Sequence, residues 1–241
     1  MDEIMNRVAA VRARVDAAAR AAGRDASEIA LIGVSKTNPA ERVAAAFGAG
    51  LTQFGENRVQ EAEPKIAALA ELRASLTWHL IGHLQTNKAR RAGQLFDYVH
   101  SVDSLRLAEG LARGAAGRPA PLPILLQVNV SGEASKDGMD FANWERDAAK
   151  LEAGCAAIES ILGLEELVVR GLMTIAPWGD DPQLARPTFA SCRMLRDELA
   201  ARFPQASWRE LSMGMSDDFA VAIAEGATMV RVGRAIFGER G

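Results

Sequence analysis

The chain is poor in cysteine and has no long hydrophobic run. It carries two cysteines in 241 residues, too few for the disulfide framework of a small secreted domain. Both fall in helical patterns, so Cys155 and Cys192 are expected to be reduced thiols. The N-terminus is too highly charged for a signal peptide, and no segment is apolar for long enough to span a bilayer. These absences predict a soluble cytoplasmic protein.

A basic surface is also missing. The chain has 28 basic and 31 acidic residues, with a formal net charge of −3. The arginines are interspersed with acids and form no continuous block. Neither nucleic acid nor a membrane surface is therefore expected as a partner.

What the chain does contain is a regular alternation of short apolar runs with helical stretches rich in alanine, leucine, glutamate and arginine. Nearly continuous apolar strands separated by helices are typical of a covered parallel sheet. Eight such runs follow an extra N-terminal helix, and they predict an α/β protein, a single (β/α)8 TIM barrel over residues 1–241. An open, doubly wound sheet is the alternative. The runs are IALIGVS, LTQFGE, LTWHLIG, FDYVHSV, PILLQVNV, LVVRGLMTI, WRELSMG and ATMVRVG.

The first run ends at a lysine, at the end of the strand where a parallel barrel places its functional residues. Lys36 is one of five lysines in a chain with 23 arginines. It could be an ordinary surface lysine at the start of a loop. If it points into the barrel mouth, partial desolvation favours the neutral amine, which can attack a carbonyl. Lys36 is therefore a candidate for a Schiff base, with a substrate or with pyridoxal phosphate.

Two loops that follow the seventh and eighth runs occupy the positions where TIM barrels most often bind phosphate. In the first loop, Gly214 allows close backbone approach, and Ser212 and Ser216 supply hydroxyls. Ser216 precedes two aspartates and equally fits the N-cap of a helix. In the second loop, Gly233 and Arg234 can present backbone amides. Together the loops predict a phosphate site.

Arg231 lies two residues before Gly233 and shares its orientation if both belong to one strand. An arginine that points into the barrel is buried and needs a partner, for which a pyridine nitrogen is suitable. An arginine in the outer helical layer, paired with an acid, is the alternative. The histidines indicate less. His79 and His83 are four residues apart in a strand and loop rather than on a helix, so a zinc site is not expected.

The motifs around these residues resemble the pyridoxal phosphate homeostasis proteins, single-domain relatives of the N-terminal barrel of alanine racemase. The similarity runs in order and with tight spacing from about residue 4 to 240. The segments that carry it are GVSKTNP, FGENRVQEAEPK, WHLIGHLQTNKAR, VHSVDS, QVNVSGEASKDGM, GLMTIAP and LSMGMSDDFAVAIAEGATMVRVGRAIFGER.

The resemblance implies a TIM barrel that holds pyridoxal 5′-phosphate as a Schiff base on Lys36. Arg231 would face the pyridine nitrogen, and the backbone of Gly233 and Arg234 would bind the phosphate. The chain departs from the family at His83, where proline is more common, and at Arg234, where a small hydroxyl residue is common. The implied cofactor-binding residues are Lys36, Asn57, Ser212, Gly214, Arg231, Gly233 and Arg234.

The same residues predict poor catalysis. Arginine keeps its proton, so it leaves the pyridine nitrogen unprotonated and the ring a weak electron sink. Racemisation also needs a second acid or base, which alanine racemase takes from a tyrosine of a second domain and another subunit. This chain ends at the eighth strand, and its one tyrosine, Tyr98, begins a strand at the wrong end of the barrel.

We therefore expect a non-catalytic, monomeric carrier that buffers pyridoxal phosphate in the cytoplasm. Apo forms of pyridoxal phosphate enzymes are the candidate recipients. A weak amino-acid racemase or a Schiff-base lyase is the alternative. A Schiff-base aldolase would want a carboxylate or a second lysine beside Lys36, and Glu56 is the one candidate at the strand ends.

Overall fold

In the computed structural model, which describes residues 2–238, all eight predicted runs form strands. A ninth, two-residue strand, β6, pairs with the carboxyl end of β5. The strands are β1 (Ala30–Val34), β2 (Gln53–Glu56), β3 (Thr77–Leu80), β4 (Tyr98–Val102), β5 (Leu122–Asn129), β6 (Met139–Asp140), β7 (Leu167–Met173), β8 (Glu210–Ser212) and β9 (Met229–Val232).

The sheet closes on itself. Its neighbours follow the order β4-β3-β2-β1-β9-β8-β7-β5, every pairing is parallel, and β4 also pairs with β5. An open doubly wound sheet would leave β4 and β5 as edges, so this pairing excludes that alternative. The chain is a TIM barrel, as predicted, and β1 lies between β2 and β9.

Helices surround the barrel, and the extra N-terminal helix is present. The buried residues of α1 recur every three or four positions, at Ile4, Val8, Val11, Val15 and Ala19, which gives it one apolar face. Helix α1 contacts α2, α8 and α9, where the first and last β-α units meet. The helices are α1 (Asp2–Ala21), α2 (Ala40–Gly48), α3 (Val59–Ala68), α4 (Thr86–Leu95), α5 (Leu105–Ala115), α6 (Ala148–Leu162), α7 (Arg186–Arg202), α8 (Phe219–Ala224) and α9 (Arg234–Phe237).

Two separate apolar regions stabilise the fold. The larger lies between the strands and the helices and includes Phe54, Trp78 and Phe96. The smaller lies inside the barrel and consists of Ile32, Tyr98, Leu125, Met173 and Met229. Tyr98 and Met229 are the first residues of β4 and β9, whereas Met173 is the last residue of β7. No helix within residues 2–238 is long and apolar enough to cross a bilayer.

Both cysteines are buried free thiols. Cys155 lies in α6 and Cys192 in α7, as the helical patterns predicted. Burial raises the pKa of Cys192 to about 12, and burial also raises the pKa of Cys155 above its ordinary value. Neither side chain is therefore a reactive thiolate at neutral pH.

Strand β7 contains a bulge at which a side chain would not fit. The pairing of β5 with β7 shifts register between Ile124 and Leu125, opposite Val169 and Gly171. Gly171 pairs with Glu210 of β8, and a Cβ atom at position 171 would lie 1.9 Å from the Glu210 carbonyl oxygen. Because that neighbour is backbone, it cannot yield without moving β8, which carries Ser212.

Gly171→Ala is expected to lower the free energy of unfolding by about 2–3 kcal/mol, since β7 and β8 must separate to admit the methyl group. Urea unfolding followed by circular dichroism would measure the loss. Gly48→Ala is the matched control, because a Cβ at that exposed helix end meets no atom within 4 Å. The control should be neutral or stabilising by up to about 1 kcal/mol. Equal stability of the two variants would contradict the prediction.

Candidate functional site

The predicted site residues gather at the carboxyl end of the barrel. Lys36 follows β1 by two positions and is half-buried, and Asn57 directly follows the neighbouring strand β2. Arg231 belongs to β9, the other neighbour of β1, and Gly233 directly follows it. Barrel closure therefore places the first and last parts of the predicted site next to one another, with Lys36 between them.

Arg231 points into the barrel. It pairs in register with Ile32 of β1, a residue of the inner apolar region, and only 4% of its surface is exposed. Its Nη1 donates to the carbonyl oxygen and the Oγ of Ser212, both at 2.7 Å, and its Nη2 donates to the Thr174 carbonyl oxygen at 3.0 Å. Burial lowers the pKa of Arg231 to about 10. The guanidinium is therefore still charged at neutral pH, and the outer-layer alternative is excluded.

A chain of hydrogen bonds continues from Arg231 across the interior. Ser212 Oγ lies 2.9 Å from His100 Nδ1, and His100 Nε2 lies 2.9 Å from His79 Nδ1. Arginine can only donate, so Ser212 Oγ accepts from Arg231. A hydroxyl has one proton and two lone pairs, so Ser212 can either donate to His100 Nδ1 or accept from it. The tautomers of His100 and His79 follow from that choice.

Both histidines are neutral at pH 7. Burial lowers the pKa of His79 to about 4, and burial together with His79 and Arg231 lowers the pKa of His100 well below its ordinary value. His79 Nε2, on the other side of the ring, has no hydrogen-bond partner among residues 2–238. Sequence reasoning missed this chain, whose only signal was a histidine in each of two neighbouring strands.

The Ser212 side chain is therefore hydrogen-bonded inside the barrel, below its mouth. Its hydroxyl contacts Arg231 and His100, and its side chain is fully buried. The hydroxyl therefore helps to hold Arg231 in place, and the part of Ser212 in phosphate binding stays a prediction.

The two glycine loops approach their neighbours closely. Gly214 has a φ of +92°, and a Cβ there would lie 2.6 Å from Ala222 Cβ. A Cβ at Gly233 would lie 3.3 Å from Val34 Cβ, beside the end of β1. Gly233 is the N-cap of α9, and the first amides of a helix have no partner inside it. Backbone donors therefore lie at the mouth next to the loop that carries Lys36.

One prediction for the side chains of these loops is wrong. Helix α8 begins at Phe219 and its N-cap is Asp218, so the prediction that Ser216 caps the helix is wrong. Asp218 Oδ1 instead accepts from the Met215 amide at 2.5 Å and closes a turn through Ser216. Arg234 is exposed and forms an ion pair with Asp217, which joins the two loops at the surface.

Glu56 does not face the mouth. A Cβ on the preceding residue, Gly55, would contact Ile32 and Ile81, so Gly55 faces the interior and Glu56 faces the helices. Its Oε1 accepts from Lys65 of α3 and, at 2.7 Å, from Ser35 Oγ. Burial raises the pKa of Glu56 despite the contact with Lys65. The carboxylate that an aldolase would want beside Lys36 is therefore engaged elsewhere.

Asn57 lies at the rim of the mouth. It is half-buried and lines a groove of about 910 Å³ that runs between the amino ends of α3 and α4, together with Arg58, His83 and Lys88. His83 is exposed and lies 3.5 Å from Asp137, while His79 is inside the barrel, so the two histidines do not converge on a metal. Residues 2–238 contain no cluster of three or more potential metal ligands.

A second cavity, of about 430 Å³, lies at the amino ends of the strands and includes Ala30, Gln53 and Met229 in its lining. Tyr98 is at this same end. It is the first residue of β4, and its hydroxyl donates to Glu210, the first residue of β8. Tyr98 therefore lies far from the predicted site, as expected.

The chain is similar to several known proteins along nearly its whole length. A family model described as alanine racemase, N-terminal domain, matches residues 7–241. The pyridoxal phosphate homeostasis protein of Pseudomonas aeruginosa is 44% identical over 240 residues, which cover 100% of this chain and 97% of that protein. A protein of the same name from Aquifex aeolicus is 40% identical over 97% of both chains.

Solved structures agree with these matches. PipY of Synechococcus elongatus is 41% identical, and the alignment covers 98% of this chain and 100% of PipY. The TM-score is 0.82 for PipY without pyridoxal phosphate and 0.81 for PipY with pyridoxal phosphate bound. Alanine racemase of Clostridium difficile, 13% identical with a TM-score of 0.69 and covered over 57% of its length, shares the fold alone.

The buried histidines predict a loss of stability in mild acid. The folded-state pKa of each lies below the unfolded value of 6.5, so the unfolded chain takes up protons that the folded chain does not. As the pH falls from 6.5 to about 4.5, His79 should therefore lower the free energy of unfolding by about 1.4 kcal/mol per pH unit, and His100 acts in the same direction. Above pH 6.5 this contribution is complete.

His79→Gln should remove about 1.4 kcal/mol per pH unit from that slope, measured by urea unfolding at a series of pH values. His83→Gln serves as the control, because His83 is exposed and its substitution should leave the slope unchanged. Slopes that do not differ between wild type and His79→Gln would contradict the assignment of a neutral, buried His79.

Proposed function

This chain belongs to the pyridoxal phosphate homeostasis protein family, and from that membership we propose that it binds pyridoxal 5′-phosphate reversibly through a Schiff base with Lys36. One observation carries the proposal. The half-buried Lys36 follows β1, and the buried Arg231 belongs to β9, the strand next to β1 in the barrel. These are the groups that an aldehyde and a pyridine nitrogen require.

The donor set fits this cofactor. Three of the five N–H groups of Arg231 donate to protein oxygens. A guanidinium N–H also suits an acceptor nitrogen. At Gly214 and Gly233 a Cβ atom would lie closer to its neighbours than side chains normally do. These two loops therefore present backbone groups, without side chains, beside β1. A phosphate is bound well by such amides at a helix start.

Each residue then has a defined task. The cofactor supplies an aldehyde that condenses with an amine, and Lys36 supplies the amine. Arg231 donates to the ring nitrogen and keeps its own proton, because even its lowered pKa of about 10 exceeds neutral pH. Ser212 fixes the guanidinium. The backbone of Gly214, Gly233 and Arg234 binds the phosphate, and Asn57 borders the ring from the rim of the mouth.

We propose further that the protein is a carrier rather than a proficient enzyme. The tyrosine that could act as a second acid or base is at the opposite end of the barrel and is bonded to Glu210. The buried histidines beneath the site are neutral and bonded to one another. A carrier of this kind would act as a monomer in the cytoplasm and deliver pyridoxal phosphate to apo enzymes.

Purified wild-type protein mixed with pyridoxal phosphate should be yellow, and borohydride should bleach the colour and fix the cofactor to Lys36. Lys36→Ala should lose the visible band of the specific adduct, although phosphate contacts can retain some ligand. Lys150→Met is the control, because that lysine is remote and pairs with Asp140 at the surface. Peptide mapping by mass spectrometry identifies the lysine that carries the reduced cofactor. A wild-type adduct on another lysine would overturn the assignment.

A weak amino-acid racemase or a Schiff-base lyase is the second candidate, favoured by the fold shared with alanine racemase. The two are separated by exchange of the α-proton of amino acids in heavy water, followed by NMR. A carrier should exchange it far more slowly than about 1 s⁻¹, the lower end of ordinary turnover. Exchange at or above that rate, lost in Lys36→Ala, would favour the enzyme.

A further inference from the structure

Two side chains of α3 hold the backbone on both sides of Lys36. Lys65 Nζ donates to the Ser35 carbonyl oxygen at 2.7 Å, which belongs to the peptide group before Lys36. The Thr37 amide, in the peptide group after Lys36, donates to Glu61 Oε1. Glu61 and Lys65 are one helical turn apart and therefore project from the same side of α3.

The contact to Ser35 is reinforced by a buried ion pair. Lys65 also bonds Glu56 Oε1, and the two side chains are 6% and 0% exposed. Ser35 Oγ donates to the same carboxylate oxygen at 2.7 Å, and the Ser35 amide donates to the Gly55 carbonyl at 2.9 Å. Every polar atom of Ser35 is thus engaged immediately before the lysine.

The turn that follows has an unfavourable conformation. Thr37 has a φ of +63°, a region that β-branched residues rarely occupy. Such a conformation persists only where the surroundings fix it. Glu61 supplies one of those constraints, and the Thr37 Oγ1 and Asn38 Nδ2 groups supply others by donating to the Lys36 carbonyl at 2.6 and 3.0 Å.

We propose that Glu56, Glu61 and Lys65 form a clamp that positions the Lys36 amine for the cofactor, an inference that rests on the proposed function. None of the three is a cofactor contact in this proposal. Each acts through the backbone of residues 35–37. In the apo protein the clamp already orders the loop that carries Lys36. Binding therefore costs less conformational entropy, which favours the bound state.

Stability alone does not explain the arrangement. A buried ion pair is often no more stabilising than apolar side chains of similar size, because desolvation offsets the attraction. Apolar residues at positions 56 and 65 would fill the same space between β2 and α3. They could not bind the Ser35 carbonyl, which is the contact that reaches the lysine loop.

The test compares three variants as full-length protein. Glu61→Ala removes the contact to Thr37 at a half-buried position, where folding should tolerate it. The double variant E56L/K65M removes the contact to Ser35 without leaving an unpaired buried charge. Glu63→Ala is the matched control, since Glu63 lies on the same helix and pairs with Arg91 rather than with the lysine loop.

Measured quantities are the dissociation constant and release rate of pyridoxal phosphate, the pH midpoint of the visible band, and the unfolding free energy of the apo protein. Glu61→Ala should bind about 10-fold more weakly and E56L/K65M about 10- to 100-fold. Both should shift the pH midpoint, which a merely structural role would not move. Amide hydrogen exchange should show lost protection at Thr37 in Glu61→Ala alone.

The outcomes separate the two proposals. If wild-type protein forms the Schiff base and both variants match Glu63→Ala in affinity, release and pH midpoint, the clamp is wrong and the proposed function stands. If the variants change only the unfolding free energy, the three residues are structural and the clamp is again wrong. If wild type forms no adduct on Lys36, the proposed function fails, and the positioning role fails with it.

Discussion

A positive charge inside the barrel constrains everything around it. The Arg231 guanidinium is buried and can only donate hydrogen bonds, so each neighbour within reach must offer an acceptor. Ser212 and the Thr174 carbonyl do so, and the Ser212 hydroxyl is also hydrogen-bonded to His100. The same logic applies to a ligand. A ring nitrogen that meets Arg231 must be an unprotonated acceptor, which suits binding and weakens the ring as an electron sink.

The fold places a second buried charge on the other side of the same loop. Arg231 lies inside the barrel, whereas Lys65 and Glu56 lie between the sheet and α3. Buried charges are costly, and a soluble barrel can be stable without them. Here both adjoin the segment that carries Lys36, one across β1 and β9 and the other across β1 and β2. Their placement therefore indicates a requirement for geometry at this loop more than a requirement for stability.

The sequence predicts the eight strands and the position of Lys36 because both depend on local patterns. Closure is different, since it depends on the pairing of β4 with β5, which no local pattern encodes. The chain from Arg231 to His79 joins β9, β8, β4 and β3, so it too required the assembled barrel. Alternation could have shown that Glu56 faces outward, because Gly55 beside it faces Ile32. The turn that displaces the start of α8 past Ser216 depends on Asp218, which local capping rules rank no higher than serine.

The pKa values of the buried groups agree with the role of a carrier proposed for the site. General acid-base catalysis is most effective when the pKa of the catalytic group lies near the working pH. Inside this barrel the pKa of His79 is about 4 and that of Arg231 about 10, so neither group exchanges a proton readily near pH 7. Fixed protonation states instead give a constant set of donors and acceptors. For a carrier, affinity in the ground state is itself the function, and a constant set of contacts with a positioned amine serves it.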